Sequence, residues 1–431
     1  MADADVVVIG SGLGGLGAAT WLRQLGRSVQ VLEASDRPGG RMRTLERRGD
    51  RVDVGAQFFH SNYRHCLELI EVAGLSASRS PIQGKTQYRF ADGSSYCFGH
   101  KARYIRPLGV RGHVDLLRFL LRYVVFGKRF PMYQISRDIP EYDGAMLSEV
   151  VPPGRFLDLL AKPVCWGETQ CGPDDTSLYH FIHQLRLTTM TDFFGLSEGV
   201  ASLCERLAER VVVRYEAPVR SLLYERDRVT GVALEDGSQI GARHVIVAVP
   251  PQAAARLLPD ALGDARSFLA GFDYLRIPIP VFFLDRPLHP DVWSYFSDPG
   301  QERPFMLALD QAAKMPAMVP SGKALLTVWP HYPSMDTLMA RPDDEVLRTA
   351  LGDLEHILPG VSGWVEDAAL VRHTWGTAWY TRGAYGRILR FRREAERLLG
   401  VSFVSSAYGG THMEATLVTA ERAVQRARAV T

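Results

Sequence analysis

The sequence is poor in cysteine, nearly balanced in charge and free of long apolar runs. Its five cysteines form no C-x-x-C pair, which argues against a disulfide framework and a zinc finger and favours a reducing compartment. No apolar run approaches the roughly 20 residues of a membrane-spanning helix. The start, MADADVVVIG, has acids where a signal peptide has basic residues. We therefore expect a cytoplasmic protein.

The overall composition narrows the class of protein further. A net charge of +2 gives no general reason to expect nucleic acid as a partner. With 431 residues, of which 46% are hydrophobic and 23% charged, the chain is typical of a globular protein of two or three domains. We find no internal repeat and no low-complexity linker, so the domains are expected to be interleaved along the chain. The sequence gives no indication of the oligomeric state.

The first 33 residues have the pattern of a strand, a helix and a second strand. Residues 6–9 predict a buried parallel strand, apolar residues at helical spacing over 16–25 predict the helix, and residues 28–32 predict the second strand. Strand-like runs return over 211–249, and helices are predicted over 343–357 and 413–429. This order predicts an α/β fold with a parallel sheet.

A glycine-rich turn joins the first strand to the first helix. Gly10, Gly12 and Gly15 satisfy G-x-G-x-x-G, and Glu33 closes the second strand about 20 residues later. These glycines permit a tight turn, close approach of the backbone to a pyrophosphate, and close packing of helix on strand. Glu33 can accept hydrogen bonds from the ribose hydroxyls. The sequence therefore predicts a dinucleotide site at the start of this helix.

The residues after Glu33 indicate which dinucleotide is bound. Arg37 can lie over the adenosine half, Arg41 can neutralise the pyrophosphate, and Gly39-Gly40 lets the backbone pass close to a flat ring. This E-x-x-x-R-x-G-G-R motif resembles the flavin amine oxidase superfamily, which includes monoamine and polyamine oxidases, protoporphyrinogen oxidase and the phytoene desaturases. Residues 53–60, Val219 and residues 403–423 are similar to further FAD-binding parts of that group. The resemblance implies FAD as cofactor and hydride transfer from a substrate C–H to flavin N5.

Both the motif and the resemblance supply the expected cofactor-binding residues. They are Gly10, Gly12, Leu13, Gly14, Gly15, Glu33, Ala34, Arg37, Gly40, Arg41, Gly55, Ala56, Gln57, Phe58, Val219, Ser406 and Met413. In the superfamily, the helix that begins near Met413 faces the pyrimidine edge of the flavin with its N–H groups. We interpret the neighbouring Glu414 as a helix cap, since Thr411 to Glu414 has the form of a capping box.

Several positions depart from the monoamine oxidase pattern. Ser406 stands where an acid usually binds the ribityl chain or a phosphate, and Ala384 replaces the cysteine that attaches the flavin, so FAD is expected to be non-covalent. The stretch 274–280 lacks the lysine that meets flavin N5 through water. These differences argue against an ordinary amine oxidase.

The candidate catalytic residues are His412 and Tyr385. Tyr385 matches one wall of the superfamily's aromatic cage, and His412 stands in place of the other. Two interpretations of His412 stay open: a general base or hydrogen-bonding group near the flavin, and a histidine packed at a helix start. Trp375, Trp379 and Tyr380 are the expected substrate-binding residues. His180 and His183 lie at helical spacing without an apparent third ligand, so no metal site is expected.

The fold class expected from these features is α/β, with a Rossmann-like FAD-binding domain interleaved with an α+β substrate-binding domain. The first is expected from residues 1–79, 195–260 and 370–431, and the second from 80–194 and 261–369. Residues 116–130 form an apolar, basic-flanked stretch. We interpret it as a core helix; the alternative is an interfacial segment that contacts a membrane, or the rim of an apolar substrate tunnel.

The predicted function is FAD-dependent oxidation of a hydrophobic or ring-bearing small molecule, in a biosynthetic role. The chain has no second G-x-G-x-x-G for a nicotinamide cofactor, so O2 or another electron acceptor is expected to reoxidise the flavin. Three alternatives stay open: an amine or amino-acid oxidase, a redox-neutral flavin-dependent isomerase, and a non-enzymatic prenyl-protein-binding protein that resembles the Rab escort proteins. The intact dinucleotide motif argues against the last.

Overall fold

The protein was analysed as a computed structural model that describes residues 4–99, 105–410 and 412–430. Two seven-stranded sheets form its framework. The first sheet draws strands from widely separated parts of the chain. Its parallel part has, in order, Val212–Arg214, Val29–Leu32, Ala4–Ile9, Gln239–Val247 and Val401–Phe403. The antiparallel strands Arg228–Leu234 and Val219–Glu225 extend it from the start of Gln239–Val247.

Apolar packing covers both faces of this sheet. Along the first strand, Val6 and Val8 belong to one apolar cluster, whereas Val7 and Ile9 belong to another. Because side chains alternate across a strand, two separate clusters mean that neither face is open to solvent. This explains the continuous β-branched run of the sequence. The buried strand places the glycine turn at its carboxyl end, where an open α/β sheet binds its ligands.

The second sheet is largely antiparallel. Its order is Val365–Ala378, Tyr274–Leu284, Leu325–Pro330, Phe305–Asp310, Val292–Phe296, Lys85–Arg89 and Ser95–Gly99. The domain border that we propose at residue 370 falls inside the strand Val365–Ala378, which pairs with Tyr274–Leu284 along most of its length. Smaller sheets are formed by Thr44–Arg47 with Asp50–Asp53, and by Phe59–His60, Phe193–Leu196 and Arg79–Pro81.

The helices surround the two sheets. They are Leu13–Gln24, Arg64–Val72, Gly109–Phe119, Pro140–Asp143, Leu147–Val150, Lys162–Glu168, Leu178–Met190, Ala201–Ala208, Pro251–Leu257, Gly263–Ala270, Gln311–Lys314, Ser334–Ala340, Asp343–Ile357, Ala384–Ala395, Ser406–Gly409 and Met413–Arg428. Two π-helical segments, Leu120–Val125 and Leu157–Ala161, adjoin helices. None of the helices in the described ranges has both the length and the hydropathy needed to cross a bilayer.

The segment 116–130 is a core helix on one side only. Phe119 and Tyr123 are buried, but Leu117 is 54% and Phe126 is 81% exposed. The core-helix interpretation is therefore wrong for the outer face. Arg118 and Arg122, four residues apart, mark the outer face, but Leu117, Leu121 and Phe126 on that face are apolar, so the pattern did not show that it is uncovered.

Candidate functional site

The glycine turn has the geometry that a dinucleotide requires. Gly10 has a φ of 99°, and a side chain at Gly15 would overlap the carbonyl oxygen of Gly10. A Cβ at Gly12 would meet no heavy atom within 4 Å. The helix that follows, whose first turn contains Leu13 and Gly14, has neither a capping side chain nor an acid there. Its N-terminal N–H groups and the open space at Gly12 therefore fit a pyrophosphate.

Glu33 is held as an anion beside this turn. One carboxylate oxygen accepts hydrogen bonds from the backbone and side chain of Ser11 at 2.8 and 2.7 Å, and the other accepts from the backbone and side chain of Ser35 at 3.0 and 2.8 Å. Burial opposes ionisation, but these four bonds outweigh it and lower the pKa of Glu33. A fixed carboxylate at this place fits the ribose hydroxyls of a dinucleotide.

The predicted adenosine side is assembled from two chain segments. The backbone N–H of Ala217 donates to the carbonyl of Glu33, and that of Glu216 donates to Ser35. Val219 begins the strand that follows, and Ala34 is exposed beside Glu33. This pairing brings Val219 to the same end of the sheet as Glu33.

Arg41 joins three distant segments of the chain. Its guanidinium donates to the carbonyl of Gly376 and to Ser406 Oγ, both at 3.2 Å, and lies over the ring of Tyr274. The hydroxyl of Tyr274 is also 3.2 Å from Ser406 Oγ. The two predicted phosphate-binding side chains, Arg41 and Ser406, are therefore neighbours. A guanidinium beside two hydroxyls suits phosphate oxygens.

The other residues of the arginine–glycine motif differ in their exposure. Gly39 donates its N–H to the carbonyl of Ser11, so the Gly39-Gly40 pair lies against the glycine turn. Arg37, in contrast, is exposed, and within the described part of the chain its guanidinium donates a 3.3 Å bond to the neighbouring carbonyl of Pro38. Gly40 is thus placed beside the turn, while Arg37 is free to move over a bound adenosine.

A buried lysine supports the segment expected to pass the flavin ring. A side chain at Gly55 would overlap the carbonyl of Arg41, and the N–H of Ala56 donates to that carbonyl at 3.1 Å. Lys314, only 1% exposed, donates to the carbonyl and to the side-chain oxygen of Gln57, both at 3.0 Å, and pairs with Asp53 at 3.4 Å. Burial lowers the pKa of Lys314, and Asp53 opposes that shift. Lys314 therefore holds residues 53–57 in place through its contacts with Asp53 and Gln57.

The closing helix begins at Met413 with His412 as its cap position, and the His412 side chain makes no capping bond. Thr411 lies outside the described residues. Glu414 does not form the predicted capping box, because it is the second residue of the helix rather than the third. Its carboxylate instead accepts from the N–H groups of His65 and Cys66 at 2.9 and 3.0 Å and from His65 Nδ1 at 2.7 Å. It caps the helix Arg64–Val72.

Three ionisable side chains meet where the flavin-facing segment and the closing helix converge. One ligand atom each of His60, Glu168 and His412 lies within 4.8 Å of the other two. The His60 and His412 rings are edge to face, with centroids 5.6 Å apart. Nε2 of His412 is buried and has no hydrogen-bond partner within the described ranges. We call this set the polar cluster.

The protonation states of His412 and Glu168 in the polar cluster follow from their burial. Burial, reinforced by the fields of His60, His183 and His180, lowers the pKa of His412 well below its usual value, so the ring is neutral at pH 7. Burial raises the pKa of Glu168 to about 7, although a 3.2 Å bond from Thr188 Oγ1 opposes the shift. At neutral pH the cluster thus contains a neutral imidazole and a carboxyl group poised to gain or lose a proton.

The position of His60 is fixed by a threonine. Thr191 donates its hydroxyl proton to the carbonyl of Leu187 at 2.9 Å, so it accepts from Nδ1 of His60 at 2.7 Å. This contact places the proton of a neutral His60 ring on Nδ1 and leaves Nε2 as the acceptor. Only His412 of this cluster was among the predicted site residues.

Tyr385 and Tyr380 lie along the same helix wall as the polar cluster. The helix Leu178–Met190 places His183 6.0 Å from His412, and one turn earlier it places His180 in contact with both tyrosines. His180 Nδ1 is 3.0 Å from the Tyr385 hydroxyl, and its ring stacks on Tyr380 at 4.6 Å. Both tyrosines are only 1% exposed. The two predicted catalytic residues, Tyr385 and His412, therefore both contact the helix Leu178–Met190, Tyr385 through His180 and His412 through His183.

The predicted substrate-binding tryptophans are not brought together. Trp375 packs edge to face on Tyr274 at 6.2 Å, next to the phosphate-binding pair Arg41 and Ser406. Trp379 points elsewhere, since its indole donates to the carbonyl of Asp175 at 2.9 Å and packs on Tyr332. Tyr380 donates its hydroxyl proton to the carbonyl of Ser406 at 2.5 Å and so lies near the surroundings of Trp375, whereas Trp379 has different partners.

Sequence reasoning missed Glu168 and Lys314. Glu168 ends the helix Lys162–Glu168, and Lys314 ends the four-residue helix Gln311–Lys314, where charged residues are ordinarily solvated. Their partners are remote in sequence, so no local spacing could have revealed them. Cys165 and Trp166, which precede Glu168, were the one available signal of an apolar environment.

Comparison with known proteins gives a consistent result. A family model described as flavin containing amine oxidoreductase matches residues 13–428. A curated protein named probable flavin-containing monoamine oxidase A, from Dictyostelium discoideum, is 24% identical over 269 residues, or 59% of each chain. The hydroxyneurosporene desaturase of Cereibacter sphaeroides is 28% identical over 335 residues, or 67% of this chain and 63% of that protein. Both matches span less than two thirds of the relative's length.

Solved structures agree with the fold over nearly the whole chain. Cyclohexylamine oxidase from Brevibacterium oxydans superposes with a TM-score of 0.78 at 19% identity and covers 99% of both chains. Wild-type putrescine oxidase bound to putrescine superposes with a TM-score of 0.77 at 18% identity, again over 99% of both chains. At these identities the similarity establishes the architecture, an α/β fold with a Rossmann-like domain.

Proposed function

The chain belongs to the family of flavin-containing amine oxidoreductases, and on that premise we propose that it is an FAD-dependent oxidase or dehydrogenase of a hydrophobic or ring-bearing small molecule, in a biosynthetic role. FAD is the cofactor, and Ala384 offers no thiol for a covalent link. When bound, the flavin supplies the hydride acceptor. The residues of the chain orient the substrate, exclude water and handle its proton.

The observation that carries this proposal is the aromatic surrounding of the polar cluster. Tyr63 and Phe193 pack on His60 with centroids 5.1 Å away, and Phe58 lies at 5.6 Å. Tyr133 packs edge to face on His412 at 6.5 Å. A polar cluster surrounded by aromatic rings favours a mainly apolar substrate that carries a single polar or acidic group.

We assign separate roles to the members of the site. His412 is the proposed general base or hydrogen-bond acceptor, because its ring is neutral and its Nε2 is buried without a partner in the described ranges. Glu168, which lies beside His412, is proposed to accept the proton that His412 takes from the substrate. Tyr385 holds His180, and through the helix Leu178–Met190 it positions His183 against His412. Trp375, which lies beside Arg41 and Ser406, is proposed to contact the cofactor rather than to bind the substrate.

The electron acceptor and the location are part of the same proposal. The chain has one dinucleotide motif, so we propose O2 or another acceptor in place of a nicotinamide. All five cysteines are free thiols, and four of them are buried. This supports a reducing, cytoplasmic location.

A specific observation also supports a second candidate, the oxidation of an amine. A carboxyl group with a pKa near 7 becomes fully ionised when a cation lies beside it, so Glu168 could bind a substrate ammonium. The aromatic rings around the polar cluster and the departures from the monoamine oxidase pattern favour the first candidate.

Anaerobic reduction of the bound flavin separates these candidates. The holoprotein is mixed with two matched panels, apolar ring compounds and simple amines of similar size, and loss of visible flavin absorbance is followed. We expect bleaching by the apolar panel and mass analysis that shows a product two hydrogens lighter. Bleaching by amines alone would make the second candidate correct. Aerobic release of hydrogen peroxide distinguishes an oxidase from a redox-neutral isomerase, and a protein that takes up no FAD would contradict both.

A further inference from the structure

A strip of exposed apolar side chains follows the helix Gly109–Phe119 and its continuation Leu120–Val125. It represents six of the eleven large hydrophobic side chains exposed in the described part of the chain. Scattered exposed apolar residues are ordinary, whereas such a concentration marks an interaction surface. We call this surface the apolar strip; its members are Val110, Val114, Leu117, Leu121, Val125 and Phe126.

The apolar strip is exposed although its helix is firmly packed. On the opposite side, Phe119 is 5% exposed and its ring lies 5.6 Å from the rings of both Phe156 and Phe181. Tyr123 is 9% exposed and packs on Tyr142. The segment is therefore amphipathic, with one side in the core and the other turned outward.

Basic side chains flank the apolar strip. Residues 106–130 contain six cations and only one acid, Asp115, although the whole chain has a net charge of +2. All six cations are exposed. They are Arg106, Arg111, Arg118, Arg122, Lys128 and Arg129. An apolar face bordered by long basic side chains combines the two attractions that hold an amphipathic helix on an anionic bilayer.

We infer that the apolar strip and its basic border form a docking surface for an anionic lipid bilayer. A second copy of the chain is disfavoured as occupant, because a symmetric contact would bring the basic borders together. None of the described helices can span a bilayer, so the contact is with the membrane surface. The apolar side chains enter the headgroup region, and the cations contact lipid phosphates.

A pocket beside the apolar strip gives this docking a consequence for the candidate site. The pocket has a volume of about 500 Å³ and is lined by residues that include Val124, Arg129 and Phe130. Phe130 stacks on His183 at 6.0 Å, and His183 is in turn 6.0 Å from His412. Docking places the pocket next to the lipid, so that an apolar molecule reaches the wall of the candidate site from the bilayer.

The test uses the full-length holoprotein and sedimentation with lipid vesicles. One set of vesicles is phosphatidylcholine, and the other contains about 30% phosphatidylglycerol. We expect binding to the anionic vesicles that weakens with salt, since screening acts on exposed charges. Replacing Leu117, Leu121 and Phe126 by glutamine, which keeps helix propensity, should weaken binding about tenfold or more. Replacing Arg111, Arg118 and Arg122 by glutamine should have a similar effect.

Matched control variants change equally exposed residues elsewhere. Leu25, Val212 and Leu399 are exposed apolar residues outside the strip, and Arg220, Arg256 and Arg393 are exposed arginines on other elements. Their glutamine variants should bind vesicles like the parent. The arginine set removes no apolar side chain, and it therefore tests the proposal even where the apolar set misfolds.

Three results would overturn the inference. The first is no binding to anionic vesicles at low salt, and the second is equal binding by the strip variants and the parent. The third is self-association in lipid-free solution that the strip variants abolish while no vesicle binding is seen, which would make the surface a contact between copies of this chain. Flavin reduction by a soluble substrate should be unchanged in the strip variants, so a failure here is distinct from a failure of the proposed function.

Discussion

Glu168 and His412 present a carboxylate oxygen and a ring nitrogen within 4.8 Å of each other, although more than half of the chain separates them in sequence. Their chemistry is complementary at neutral pH. Burial keeps the imidazole unprotonated and raises the pKa of the carboxyl group to about 7. A proton taken from a substrate by His412 therefore has an acceptor next to it.

Glu168→Gln should change how stability depends on pH. The pKa of Glu168 is about 7 in the folded protein, well above its unfolded value. Between those two values the folded state binds more protons than the unfolded state, so this group lowers stability as pH rises and its full cost is present above pH 7. The variant should gain on the order of 2 kcal/mol relative to the parent between about pH 4 and pH 8. Denaturant unfolding at both pH values measures this gain.

The control for Glu168 is the exposed Glu209, whose glutamine variant should follow the parent at both pH values. Equal pH dependence of the Glu168→Gln variant and the parent would show that this carboxyl group is ionised normally. In that case the proposal that Glu168 accepts a proton from His412 at neutral pH would also be wrong.

His412→Asn should spare the cofactor and slow the reaction. Its ring makes no capping bond to the closing helix, and its Nε2 has no partner in the described ranges, so the substitution removes ring contacts but no helix cap. If it is the general base, the rate of anaerobic flavin reduction should fall about 100-fold or more at unchanged FAD content. The exposed His356→Asn variant is the control. A loss of FAD with unchanged reduction of the remaining flavin would support the packed-histidine interpretation instead.

Arg41→Gln should weaken FAD binding. The guanidinium reaches both Ser406 and the carbonyl of Gly376, where it can also meet a phosphate, and a charged hydrogen bond of this kind is worth about 2 kcal/mol. We expect the dissociation constant for FAD to rise by about tenfold to 100-fold, as measured by titration of the apoprotein. The exposed Arg220→Gln variant should leave it unchanged. If Arg41→Gln binds FAD normally, Arg41 has a structural role only.

The cofactor half of the protein could be predicted largely from local sequence patterns. A β-branched strand, a glycine turn and an acid at fixed spacing form one contiguous unit, and the structure places Gly10, Gly15 and Glu33 as the pattern implies. In the other half, the helix Asp343–Ile357 also has the predicted bounds, because acids at its start and apolar periodicity along it act locally. The family resemblance and the α/β fold class are confirmed by the family model and the solved structures.

The substrate half could not be predicted in this way, because its chemistry depends on contacts between remote segments. The pKa of Glu168 is raised by desolvation that remote segments of the chain cause, and no local pattern records that. Trp375 and Trp379 are four residues apart, yet they contact different partners, Tyr274 and Tyr332. Trp375 lies within the strand Val365–Ala378, whereas Trp379 follows its last residue, and spacing alone does not reveal that the strand ends between them.

Lys314→Met should destabilise the flavin-facing segment. The ammonium group is buried against Asp53 and Gln57, so its removal leaves a buried carboxylate without its counter-charge, at a cost of about 3–5 kcal/mol. The midpoint of denaturant unfolding should fall, and FAD should be retained less well. Asp53→Asn in the same chain should restore part of the loss, since it removes the uncompensated charge. If the double variant is as unstable as the sum of the two single variants, Lys314 and Asp53 act independently.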